Sequence, residues 1–173
     1  MKIKIVIAAA IVIAVLIACG ASEPEWKQFV SADGNFTVEA PGDPEIEDSP
    51  IETPLGNLTI RMYVWDLGDI AYLAAYVDYP HEIFDYQTPQ ELLDYAADGA
   101  VEGVSGNLVS KTPISYEQHL GLELKINAPA DDAVAMARIY LVDNRLYQVL
   151  VVTYIGEEKP EKTARFLDSF KIN

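Results

Sequence analysis

Between Trp26 and Tyr154 apolar and polar residues alternate with the period of two that marks half-buried strands. Trp26 to Val30 and Phe36 to Glu39 are the first strands, separated by the turn signal Asp33-Gly34 and stopped by Pro41-Gly42 and Pro44. Residues 43–57 read as an edge strand running into a loop. Leu58 to Trp65 and Ile70 to Tyr79 form a hairpin around Asp66-Leu67-Gly68-Asp69. Spacing then becomes helical. Thr88 is an N-cap, Pro89 takes the first helical position, and Glu91 completes a capping box. Leu92, Leu93, Ala96, Ala97, Ala100, Val101 and Val104 give one apolar stripe, and Gly103 or Gly106 ends the helix. Asn107 to Tyr116, with Pro113 pointing to an edge or a bulge, and Leu122 to Ala128 are further strands. Val134 to Val142 and Arg145 to Tyr154 form a last hairpin about Asp143-Asn144. A second helix from about Pro160 to Ser169 and the extended tail Phe170-Lys171-Ile172 complete the pattern. The class is α+β: a central antiparallel sheet of about seven to nine strands, with two main helices placed to cover its two faces.

The hairpins separate their faces. With Trp65 opposite Ile70, one face of the 58–79 hairpin is aliphatic, carrying Leu58, Ile60, Met62 and Val64 opposite Val77, Ala75, Leu73 and Ala71. The other carries Tyr63, Trp65, Tyr72 and Tyr76. That face is too aromatic to be simply wet: either a second layer covers it or it binds a small apolar ligand. In the last hairpin, Tyr140 falls opposite Tyr147 and Met136 opposite Val151. Both faces there are apolar, as in central strands covered on both sides.

Candidate chemistry changes this picture little. Asp43, Glu45, Glu47, Asp48 and Glu52 lack the D-x-D-x-D-G order of a calcium loop and read as a solvated acidic edge. His81-Glu82-Ile83-Phe84-Asp85 has Asp where a zinc helix needs its second His. His119 is placed in a hairpin loop. Gly103-Val104-Ser105-Gly106 is not a nucleophile elbow, and no phosphate loop or dinucleotide fingerprint occurs. No catalytic residue, metal site or cofactor is expected.

The first residues carry an address. Lys2 and Lys4 form a positive start, Ile5 to Ala18 is an apolar run of 14 residues, and small residues flank Cys19. Such a run is the length of a signal core and short of the roughly 20 residues that span a bilayer. Leu16-Ile17-Ala18-Cys19 resembles the lipobox of bacterial lipoproteins, the substrates of lipoprotein signal peptidase. That resemblance implies cleavage before Cys19, with Leu16, Ile17 and Ala18 as the recognition residues. It also implies a diacylglyceryl thioether on Cys19 and an acylated, palmitate-type amino terminus. Several chains anchor stably where one binds only marginally. Residues 1–18 are then a signal peptide, 19–25 a lipidated tether and 26–173 one globular domain, on the cell membrane or the outer membrane.

Cys19 is the only cysteine, so the exported chain has no internal disulfide. With Lys2 and Lys4 removed, ten basic residues face 27 acidic ones, a formal charge of −17. Nucleic acid and anionic head groups are poor partners for such a surface.

Trp26-Lys27-Gln28-Phe29, Asp33-Gly34-Asn35-Phe36-Thr37-Val38 with Pro41, the capped mid-chain helix, Tyr140 to Tyr147 and Phe166 to Lys171 together resemble the PsbP-like superfamily. That family includes the extrinsic PsbP subunit of photosystem II and bacterial DcrB-type lipoproteins. The resemblance implies an α/β/α sandwich and a non-enzymatic binding or assembly role. It transfers no functional residue and no photosynthetic role. The leading expectation is therefore a lipid-anchored factor for a protein partner in the cell envelope. The alternatives are a carrier of a small apolar ligand on the aromatic face and a hydrolase with an unfamiliar site.

Overall fold

A computed structural model describes residues 24–53 and 56–173. The lipobox and its flanks lie outside the described residues. Among the described residues, ten strands and two α-helices are ordered β1 (Trp26–Ser31), β2 (Phe36–Pro41), β3 (Glu45–Thr53), β4 (Gly56–Asp66), β5 (Ile70–Asp78), α1 (Pro89–Gly103), β6 (Asn107–Tyr116), β7 (His119–Ala128), β8 (Ala133–Val142), β9 (Arg145–Tyr154), α2 (Pro160–Ser169) and β10 (Lys171–Ile172). A short 3₁₀ turn, His81–Asp85, precedes α1.

Seven strands make one antiparallel sheet in the order β3-β4-β5-β9-β8-β7-β6. Two meanders meet where β5 pairs with β9. α1 carries the chain from the middle of the sheet to its far edge and packs on β7 and β8. The expected first two strands stay outside this sheet. β1 and β2 pair with β10 in a separate three-stranded sheet, and this lies with α2 over the opposite face. The chain is thus layered α, β, then a mixed helix-and-strand cover.

Two apolar layers follow from the alternation. Under α1, Leu92, Leu93, Ala96 and Ala97 meet Leu124, Ile126, Ala137 and Ile139, all 2% exposed or less. Under the second cover, Phe36, Val38, Phe166 and Phe170 meet Tyr63, Trp65, Tyr72 and Val149. β8 and β9 are buried on both sides, as their two apolar faces require.

The 58–79 hairpin differs from expectation in register. Trp65 pairs with Tyr72, not Ile70, and Arg61 pairs with Tyr76. The slip is by two residues, so every side chain keeps its face. Asp66 causes it. This residue still pairs, with Ala71, and its carboxylate accepts the Gly68 N–H at 2.8 Å to shape the turn. The last hairpin holds its expected register, with Tyr140 opposite Tyr147 and Met136 opposite Val151. Its turn has Asp143 at φ 52°.

α1 starts as its sequence dictates. Thr88 Oγ1 accepts the Glu91 N–H at 3.2 Å, and the Glu91 carboxylate accepts the Thr88 N–H at 2.9 Å. Its end differs. The left-handed position falls on Ser105 at φ 49°, not on a glycine. Ser105 N–H donates to Glu102 C=O and Gly106 N–H to Val101 C=O, both 2.9 Å, which satisfies the last carbonyls. Gly106 is required by space: a Cβ there would lie 2.5 Å from Ile126 Cγ2. His119 also moves. It is the first residue of β7, opposite Tyr116, because the chain turns tightly at Glu117 with φ 52°. No Gly or Asn marks that turn, so the loop looked longer in the sequence.

Candidate functional site

The aromatic face is the feature with most chemistry, and the structure closes it. Tyr63, Trp65 and Tyr72 are at most 3% exposed. Phe29 of β1 lies 5.3 Å from the Tyr63 ring and 5.4 Å from Trp65, edge-on to the latter. Phe166 of α2 lies 5.0 Å from Tyr72 and 5.7 Å from Trp65. Offset and edge-to-face contacts at these spacings stabilise beyond area alone. The polar ends are also used. Tyr63 Oη and Ser31 Oγ are 2.7 Å apart, and the indole N–H of Trp65 donates to Gly42 C=O at 3.2 Å. Covering therefore answers the alternative posed by the sequence. The face proposed for an apolar ligand is interior, and Tyr63, Trp65 and Tyr72 line no open surface.

Tyr76 sits at the rim of that layer and is half-buried. The Arg145 guanidinium stacks 4.5 Å above its ring. Burial pushes the Tyr76 hydroxyl's pKa up. Around it, Arg145 Nε donates to Asp78 at 2.6 Å, and Arg61 grips Asp48 through two bonds of 2.8 and 2.7 Å. Arg61 also reaches Asp33 in the β1–β2 turn at 2.9 Å. The bonds from Arg61 hold the Asp48 carboxyl below its usual range. Each arginine here spends its donors on carboxylates or on the Asp33 carbonyl. The rim ties the cover to the sheet and leaves no convergent cationic site.

The acidic segment 43–52 is mostly edge strand β3, paired along its length with β4. Asp48 answers Arg61, and Asp43 answers Lys27 at 2.6 Å. Among the described residues, no group of three or more His, Cys, Asp and Glu is placed to hold a metal. His81 opens the 3₁₀ turn and His119 opens β7, so the two histidines lie on separate elements. Asp94 and Asp98 share a face of α1, where Asp94 accepts from Lys111 Nζ at 2.8 Å.

One cavity, which sequence reasoning missed, lies at the end of the sheet formed by the β4–β5 and β7–β8 turns. It has a volume of about 230 Å³, with Ala71, Ala133 and Val152 beside Asp66, Asp69 and Asp131. Its signal is the run of small residues at strand ends, Ala71 and Ala133, next to acidic turns. Asp69 is ion-paired to Lys159, which lowers its pKa. The rim is acidic and the floor apolar, and no nucleophile–base pair faces it.

No family profile matches the chain, and no curated protein sequence is similar to it. Similarity appears in three dimensions. The chain is similar to the solution structure of cyanobacterial PsbP (CyanoP) from Synechocystis sp. PCC 6803, with a TM-score of 0.58 over 93% of this chain and 99% of that one, at 11% identity. The fold is therefore PsbP-like.

Proposed function

We propose that this chain is an exported lipoprotein, held at a membrane through lipid on Cys19, whose PsbP-like domain binds or helps assemble a protein partner in the cell envelope. The address rests on Lys2, Lys4, the 14-residue apolar run and Leu16-Ile17-Ala18-Cys19. No helix among the described residues is long and apolar enough to cross a membrane.

The observation that carries the binding role is the closure of both sheet faces. α1 covers one over β7 and β8, and the β1–β2–α2–β10 layer covers the other, down to full burial of Tyr72, Phe36 and Phe166. With Tyr63, Trp65 and Tyr72 buried and Arg61 and Arg145 paired within the chain, the domain acts through its outer surface. The shared fold supports a non-enzymatic reading. The carrier alternative loses the surface it needed at Tyr63, Trp65 and Tyr72. The hydrolase alternative needs two close carboxylates or a histidine paired to one; the end cavity has no histidine, and of its aspartates Asp69 is ion-paired to Lys159 and Asp66 accepts the Gly68 N–H.

The test is in-cell cross-linking of the tagged full chain, followed by isolation from membranes. One envelope protein recovered reproducibly is the expected result. Recovery of no specific protein across growth conditions contradicts the reading.

A further inference from the structure

Apolar surface is left open along one margin of the large sheet. β6 is exposed from Asn107 through Pro113. Its register places Leu108, Lys111, Pro113 and Ser115 on the α1 side, opposite Ile126, Leu124, Leu122 and Leu120. Ile126, Leu124 and Leu122 belong to the core beneath α1. At the margin, however, Leu108 is 43% and Leu120 49% exposed, with Val109 at 57% in the adjoining bulge. Spaced along this margin beside a charged wall, Leu108, Pro113 and Leu120 supply the apolar contacts of an interface and the wall its polar rim.

The wall is α1. Asp94 reaches across to Lys111 at 2.8 Å, and Asp98 stands one turn further along the same face. Residues 81–120 hold seven carboxylates, and Lys111 is their sole Lys or Arg.

We propose that this margin, with Leu108, Pro113 and Leu120 beside Asp94 and Asp98, docks a basic amphipathic segment of the protein partner. The inference rests on the partner reading above and names its surface. Apolar side chains of the segment lie on β6 and β7, and its lysines or arginines face α1. Charge selects this occupant. A second copy carries the same acidic wall and a formal charge of −17, and an anionic bilayer is repelled likewise. The edge also sets the mode. Pro113 and the bulge at Val109 blunt β6 against an added strand, so the partner uses the side-chain face.

The experiment places a photo-reactive benzoyl-phenylalanine at Leu108, at Leu120, or at Glu161 on α2 as the control, in the full chain in its host cells. Each cross-linked peptide is then sequenced. The proposal predicts adducts from 108 and 120 to one Lys- or Arg-rich amphipathic segment, and none from 161. It also predicts that Asp98→Lys, with Glu102→Lys one exposed turn further along α1, lowers adduct yield about fivefold or more. Adducts from 161 alone overturn this surface and leave the partner reading standing. Adducts from 108 and 120 to a second copy, to lipid or to an acidic segment also overturn it. No protein adduct at any position removes both.

Discussion

Ser31 Oγ and Tyr63 Oη lie 2.7 Å apart, buried, and 32 residues apart in sequence. This bond joins the end of β1 to the aromatic face of β4. Ser31 Oγ also accepts the Gly34 N–H at 2.9 Å, so the same hydroxyl fixes the β1–β2 turn. Ser31→Ala and Tyr63→Phe should each cost about 1–3 kcal/mol, because each strands a buried polar group. The double variant should cost less than their sum. Urea midpoints of the four proteins check this, and strict additivity would separate the two hydroxyls.

Phe166 is the hub of the cover, fully buried between Trp65 and Tyr72. Phe166→Ala should destabilise by about 3–5 kcal/mol through lost transfer and a residual cavity. Tyr86, 73% exposed, is the matched surface control, and Tyr86→Ala should stay within about 0.5 kcal/mol. Chemical denaturation with near-UV dichroism reads both.

The reciprocal bonds between Thr88 and Glu91 predict a modest local effect. Thr88→Ala should cost about 1 kcal/mol, and Thr88→Ser should restore most of it. Thermal unfolding followed in the far ultraviolet measures the difference.

Tyr79, buried against the first core, has its pKa pushed up to about 12 by burial. Unfolded tyrosine loses its proton near pH 10, so above that pH the folded state binds more protons than the unfolded one. The stabilisation is present below pH 10 and is lost as pH rises through 12, by up to about 3 kcal/mol. Tyr76, Tyr140 and Tyr147 are shifted the same way and add to the alkaline loss. Tyr79→Phe should make the fall in urea midpoint between pH 9.5 and 12 shallower. An unchanged slope would contradict the assignment to Tyr79.

Local rules made the strands and helix starts legible. Alternation set the faces, Thr88 to Glu91 set the start of α1, and Asp143-Asn144 set the register of β8 and β9. Elements fixed by tertiary contact were not legible. Nothing local tells β1 and β2 to leave the main sheet. They do so because Phe29 and Phe36 fit the aromatic face, and because β10, far along the chain, completes their sheet at Thr37 and Phe36. For the same reason, alternation alone leaves Tyr63, Trp65 and Tyr72 open to either a covering layer or a binding face, and only the cover decides between them. The two-residue slip at Trp65 leaves no mark in the alternation, because it changes no face. The open margin at Leu108 and Leu120 needs the relative placement of α1 and β6, which periodicity does not contain.

Lipid on Cys19, as proposed, is what holds the domain at the membrane. Replacing Cys19 by Ala and fractionating the cells tests it most directly. The account predicts a folded domain in the soluble fraction, with an unchanged unfolding midpoint and no membrane retention. A Cys19→Ala chain that still sediments with the membranes would contradict it.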